Sequence, residues 1–70
     1  MLSDDERAML DLEARFWKHA GVKEAVVAQR FGLSPTRYYQ RVAALLRRPE
    51  AAAYAPVTVR RLTARAAARR

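Results

Sequence analysis

Apolar side chains recur every three or four residues along most of the chain, as in amphipathic helices, and no stretch alternates as a strand would. Ser3-Asp4-Asp5-Glu6 has the S-x-x-E spacing of a capping box and predicts that a first helix begins there. Gly21 is expected to end this helix at about Ala20, because glycine adopts a positive φ without penalty. The apolar residues predicted to line its inner face are Met9, Leu12, Phe16 and Ala20, with Leu10 and Trp17 beside them.

Two shorter helices are predicted in the middle of the chain, joined by a tight turn. The first runs from about Lys23 to Phe31, where Gly32 ends it. Ser34-Pro35 begins the next, because a residue before proline avoids the α region and proline loses no hydrogen bond at the first helical position. This helix is expected to reach about Arg47. Its inner face is marked by Tyr38, Val42 and Leu45.

The last third of the chain is punctuated by prolines. Pro49 interrupts the helical pattern, residues 50–54 suggest one loose helical turn, and Pro56 is placed to open a fourth helix. We therefore expect an all-α domain of three to four helices over residues 1–62. A basic tail rich in arginine and alanine would follow over residues 63–70.

The charge of the chain is unevenly distributed. The 70 residues carry a formal net charge of +7. Residues 1–24 hold six acidic and four basic side chains, whereas residues 25–70 hold ten arginines and a single acid, Glu50. A mildly acidic first third followed by a strongly basic remainder points to a polyanion as the partner.

Several function classes are disfavoured by what the chain lacks. A domain of this length buries only about 60% of its unfolded surface, which leaves little volume for an active-site pocket. We therefore expect no catalytic activity and no cofactor. Cysteine is absent, and His19 has no neighbouring metal ligands. No apolar run has the roughly 18 residues of a membrane span, and the acidic start is unlike a signal peptide. We expect a cytoplasmic protein associated with the nucleoid.

The segment from Glu24 to Val42 has the pattern of a helix-turn-helix. The three-residue turn Gly32-Leu33-Ser34 joins two helices, and Ala28 lies four residues before the glycine, where a small side chain lets the helices approach. The second helix of such a unit enters the major groove of DNA with its N-terminal residues against base edges. The residues predicted to read bases are Thr36, Arg37 and Gln40.

A further set of polar side chains is predicted to hold the phosphates of double-stranded DNA. They are Arg30, Ser34, Tyr39, Arg41, Arg47, Arg48, Arg60, Arg61 and Arg65, with Arg69 and Arg70 at the end of the tail. The expected function is sequence-specific DNA binding by a transcriptional regulator.

Three segments of the chain resemble a known family. They are residues 16–24 (FWKHAGVKE), 34–40 (SPTRYYQ) and 48–51 (RPEA). They resemble the small helix-turn-helix proteins of unknown function found in actinobacteria and their phages, and similarity extends from about Leu2 to Leu62. The resemblance implies a helix-turn-helix fold and a regulatory role, but no established activity. The chain departs from it at Phe16, where members often have a tryptophan, and at Ala55, where an aspartate often caps the fourth helix.

Other interpretations fit the same residues. As a protein-interaction module, the chain would dock on RNA polymerase or another regulator through Trp17 and its acidic first helix. As an architectural protein, such as an excision factor, it would bend its DNA site. Helix-turn-helix proteins often bind as dimers, and the fourth helix or the Trp17 line would then supply the homodimer contact. The apolar stripe of the fourth helix is thin, which disfavours a membrane as the partner.

Overall fold

Five helices occupy residues 1–68, the part of the chain that the computed structural model describes. They are α1 (Asp4–Ala14), α2 (Ala20–Phe31), α3 (Pro35–Leu45), α4 (Pro49–Tyr54) and α5 (Pro56–Ala68). The predicted all-α fold class is confirmed. Arg69 and Arg70, which were assigned to the basic tail, lie outside the described residues.

The start of α1 is the predicted capping box. The Ser3 hydroxyl accepts a hydrogen bond from the backbone N–H of Glu6 at 3.1 Å, and the Ser3 N–H donates to the Glu6 carboxylate at 2.8 Å. Two N–H groups that a helix N-terminus would leave unpaired are thereby satisfied. Asp4, Asp5 and Glu6 also place negative charge on the positive end of the helix dipole.

The predicted end of α1 is wrong. The helix stops at Ala14 rather than Ala20, and Gly21 lies in the first turn of α2 instead of ending α1. At this earlier end, the carbonyl of Leu12 accepts the indole N–H of Trp17 at 2.8 Å and the backbone N–H of Arg15 at 3.2 Å. In a continuing helix that carbonyl would accept the N–H of residue 16, four positions later.

Breaking α1 at this point changes which side chains are buried. Trp17 is partly buried and packs against the core, with the Arg15 guanidinium 4.6 Å from its ring centroid. Phe16 was predicted to face the core but is 90% exposed, and Ala20 is exposed as well. The non-helical stretch 15–19 therefore partly buries one aromatic ring and leaves the other in water.

The turn between α2 and α3 matches the prediction. Gly32 has φ 68°, the left-handed conformation that favours glycine, and its N–H donates to the carbonyl of Ala28 at 2.9 Å. The Ser34 hydroxyl accepts the N–H of Arg37 at 3.3 Å, and Pro35 occupies the first helical position. Leu33, inside the turn, packs against the core.

The C-terminal third contains one more helix than expected. α3 ends at Leu45, slightly before the predicted Arg47, and residues 49–54 form the short helix α4 rather than a loose turn. α5 begins at Pro56 as predicted, although Ala55 lacks a capping side chain. It continues without a break to Ala68, across the predicted start of the tail at residue 63.

The core lies where α1 meets the other helices. α1 packs against α3, α4 and α5, whereas α2 makes its main packing contact with α3. Burial of Tyr38, Val42 and Leu45 confirms the predicted inner face of α3. The other helices of the described chain contribute Met9, Leu10, Leu12, Val27, Ala51 and Val59 to the core. Phe31, predicted to be core, is partly buried and stacks on Tyr38 with 6.1 Å between ring centroids.

Candidate functional site

The surface of α3 opposite the core carries the side chains predicted to read bases. At roughly 100° per residue, Thr36 and Gln40 lie opposite Tyr38, and Arg37 lies on the flank of the same surface. All three are exposed. Their backbone is held by the N-cap of Ser34 and by the burial of the opposite face. The structure thus brings the three residues together on one rigid, accessible surface.

Two of the predicted phosphate ligands have structural partners inside the chain. The Ser34 hydroxyl is the N-cap acceptor of α3, so its oxygen is already engaged. Tyr39 is 47% exposed, and its ring meets the ring of Tyr38 edge-on at 5.2 Å between centroids. The Lys23 ammonium lies 5.2 Å from the Tyr39 centroid. Tyr39 therefore sits on the side of α3 that faces Lys23, away from Arg37.

Arg48 is the centre of a charged cluster rather than a free cation. Its guanidinium forms ion pairs with the carboxylates of Glu6 and Glu50, the latter at 3.0 Å. The pKa of Glu50 is lowered to about 2, first by its own backbone N–H and then by Arg48. The pKa of Glu6 is lowered first by the Ser3 N–H, then by Arg48 and, more weakly, by Arg41. Arg48 therefore lies beside two acidic groups, whereas Arg41 is exposed.

The remaining predicted phosphate ligands are exposed but not all alike. Arg30 on α2, Arg47 after α3, and Arg60 and Arg65 on α5 are exposed. Arg61 is also exposed, yet its guanidinium donates a hydrogen bond to the main-chain carbonyl of Glu13, which ties α5 to the end of α1. The exposed arginines thus occur on α2, just after α3, and on α5.

A buried ionic cluster holds α3 against α1 and α2. The Glu13 side chain is 4% exposed; it accepts a hydrogen bond from the Tyr38 hydroxyl at 2.6 Å and pairs with the Lys23 ammonium at 2.7 Å. Burial, followed by this hydrogen bond to a carboxylate, raises the pKa of Tyr38, so the phenol keeps its proton and remains a donor. The three residues come from three different helices and set the position of α3.

The whole chain, residues 1–70, matches the family described as a protein of unknown function, DUF3263. The chain belongs to the DUF3263 family. No curated protein and no solved structure matches it. The resemblance to a family of unknown function is therefore confirmed at that level.

Within residues 1–68, no three His, Asp or Glu side chains come together as a metal site would require. None of the helices over the same residues has both the length and the apolar character needed to cross a bilayer.

Sequence reasoning missed the role of Glu13 and Lys23. The signal was present, since Glu13 lies four residues after Met9 and one after Leu12, on the apolar face of α1. A charged residue at such a position must be paired when it is buried. Its partner, Lys23, was not predictable, because it is brought close only by the unexpected end of α1 at Ala14.

Proposed function

We propose that this protein binds double-stranded DNA sequence-specifically, with α2 and α3 acting as a helix-turn-helix and α3 entering the major groove. The observation that carries the proposal is the division of α3 into two faces. Tyr38 and its buried neighbours fix one face, while Thr36, Arg37 and Gln40 are exposed on the rest of the helix. The exposed side chains are free to meet base edges without any change in the core.

The chemistry of each exposed residue suits a different contact. The Arg37 guanidinium can donate two hydrogen bonds to guanine, and the Gln40 amide can pair with adenine through two bonds. The Thr36 hydroxyl can bond a base or a phosphate. These three residues lie within about one and a half turns of helix, close to the N-terminal end of α3, where helix-turn-helix proteins make their base contacts.

Exposed arginines outside this surface supply the non-specific part of the binding. Arg30 on α2, Arg47 just after α3 and Arg60 on α5 are exposed, and in this proposal they contact phosphates beyond the reach of α3. Arg48 has a smaller part in this scheme, because Glu6 and Glu50 already balance its charge. The proposal involves neither a catalytic step nor a cofactor. The biological role we propose is transcriptional regulation in a bacterium or a phage.

The decisive experiment separates base reading from charge attraction. A preferred site is first selected from a pool of random double-stranded DNA. The protein and its Gln40→Ala variant are then titrated against the selected site and against random DNA at one fixed salt concentration. Loss of a bidentate base contact should reduce the specific-to-random affinity ratio by about 5- to 150-fold, which corresponds to about 1–3 kcal/mol of discrimination.

Gln29→Ala is the matched control. Gln29 is an exposed glutamine on α2, so the same amide is removed from a different helix with no change in charge. Its ratio should stay within about twofold of the parent, as expected for a surface substitution. If Gln40→Ala behaves like Gln29→Ala, or if no preferred site emerges from the pool, α3 does not read sequence and the proposal is wrong.

A further inference from the structure

A groove of about 330 Å³ lies between α3 and α5. Most of its lining is apolar: Val42 and Leu46 on one side, Leu62 and Ala66 on the other. It continues past Ala43 toward the C-terminal end of α3. This surface is on the side of α3 that carries Tyr39, beside the surface of Thr36, Arg37 and Gln40 but distinct from it.

The charges along the groove are predominantly positive. Arg65 lines the α5 wall, and Arg47 lines the wall formed by the end of α3. The acidic residue in the lining of the described groove is Glu13. Its side chain is only 4% exposed and is already bound to Tyr38 and Lys23. A chain that entered the groove would therefore meet an apolar floor between two accessible arginines.

From this geometry we propose that the groove docks an acidic amphipathic helix of a partner protein. The α3 wall from Tyr39 to Arg47 is about 12 Å long at about 1.5 Å per residue, room for about two turns of a docked helix. Apolar anchors three or four residues apart would fill the floor, and flanking carboxylates would meet Arg47 and Arg65.

Two other occupants fit this surface less well. DNA phosphates would gain nothing from the apolar floor formed by Leu46, Leu62 and Ala66. A second copy of this chain would bring arginines against arginines, because a symmetric dimer contact places the same groove, with the same arginines at its edges, on both sides. The docking proposal does not depend on DNA binding, although Arg47 and Arg65, which are also predicted phosphate ligands, border this groove.

The test uses a short synthetic helical peptide with leucines at i, i+3, i+4 and i+7 and glutamates between them. Its twin carries lysines in place of the glutamates, and a third peptide has the composition of the first with the leucines scrambled. Each is titrated into the full chain while backbone amide shifts are recorded by NMR. We expect the acidic amphipathic peptide to shift the amides around Leu46 and Leu62 and to bind more tightly than both controls.

Two variants of α5 locate the binding. Ala66→Glu places a larger, acidic side chain in the groove and should weaken the acidic peptide at least about tenfold, through steric conflict and like charge. Ala64→Glu makes the same change on the same helix at an exposed position outside the groove lining and should leave affinity within about twofold. Arg65→Gln should weaken binding by about two- to fivefold, the range of an exposed ion pair.

Several results would overturn the proposal. One is the absence of amide shifts, and another is equal binding by the lysine twin or the scrambled peptide. A third is a shift pattern centred on Arg37 and Gln40, which would show simple attraction to the basic helix. Self-association of the chain that Ala66→Glu abolishes would assign the groove to a second copy.

Discussion

Removing the Tyr38 hydroxyl tests the buried cluster that joins α1, α2 and α3. In Tyr38→Phe, the ring keeps its packing, but Glu13 loses a donor at 2.6 Å and retains Lys23 at 2.7 Å. A hydrogen bond to a charged group contributes about 1.5–3 kcal/mol. The free energy of unfolding of the whole domain should be only about 4–10 kcal/mol, at roughly 0.05–0.15 kcal/mol per residue. The variant therefore loses a large share of the stability.

The assay is thermal unfolding followed by far-ultraviolet circular dichroism. A loss of 1 kcal/mol lowers Tm by about 4–8 °C in a domain of this size, so Tyr38→Phe should melt at least about 6 °C below the parent. Tyr39→Phe is the matched control, because it removes the same hydroxyl from the next residue, which is 47% exposed. It should change the free energy of unfolding by less than about 0.5 kcal/mol.

A second pair of variants isolates the ionic part of the same cluster. Lys23→Gln leaves the Glu13 carboxylate buried without its cation and should cost about 3–5 kcal/mol. Adding Glu13→Gln removes the uncompensated charge and should recover part of that loss. Two results together would show that the cluster does not hold the helices together. Tyr38→Phe would have the same Tm as Tyr39→Phe, and the double variant Lys23→Gln with Glu13→Gln would be no more stable than Lys23→Gln alone.

Four further substitutions test other parts of the chain. Gly32→Ala should destabilise the protein by about 1–2 kcal/mol, because φ is 68° there. Gly21→Ala should stabilise it by up to about 1 kcal/mol, because Gly21 is helical and an added Cβ would meet open space. In urea unfolding, the two variants should change the free energy of unfolding in opposite directions. Glu50 has its pKa lowered from 4.5 to about 2 in the fold, so the stability it contributes is present above pH 4.5 and is lost as the pH falls toward 2. Glu50→Gln should therefore flatten the loss of Tm over that window, and an unchanged pH profile would contradict the assignment. Arg60→Ala should reduce the slope of log K for DNA binding against log salt concentration by about 0.9, the value for one phosphate contact. It should weaken binding to specific and random DNA alike. An unaltered slope would show that Arg60 does not contact DNA.

Much of the candidate site was predictable because helical periodicity is a local property. Burial of Tyr38, Val42 and Leu45 follows from their spacing, and the exposure of Thr36, Arg37 and Gln40 follows from the same register. The cations were harder to sort. Arg48 looks like its neighbours in sequence, but Glu6, 42 residues away, pairs with it in the fold.

The errors in the predicted helices have a common origin. The periodicity of Met9, Leu12 and Phe16 predicts one long helix, yet α1 ends at Ala14 and the Leu12 carbonyl accepts the indole N–H of Trp17. Which ring packs against the core depends on tertiary contacts: Trp17 is partly buried there, whereas Phe16 is 90% exposed. Residues 49–54 form a helix for a similar reason, since Ala51 is fully buried there.

The caps and turns of this protein follow from its amino-acid order, because they depend on φ preferences and on hydrogen bonds between residues a few positions apart. The Ser3 capping box, the left-handed Gly32 and the Ser34-Pro35 helix start are of this kind. The Glu13 cluster and the groove between α3 and α5 depend on packing instead. Each joins side chains more than nine positions apart, and these interactions stabilise the protein only after the helices have packed together.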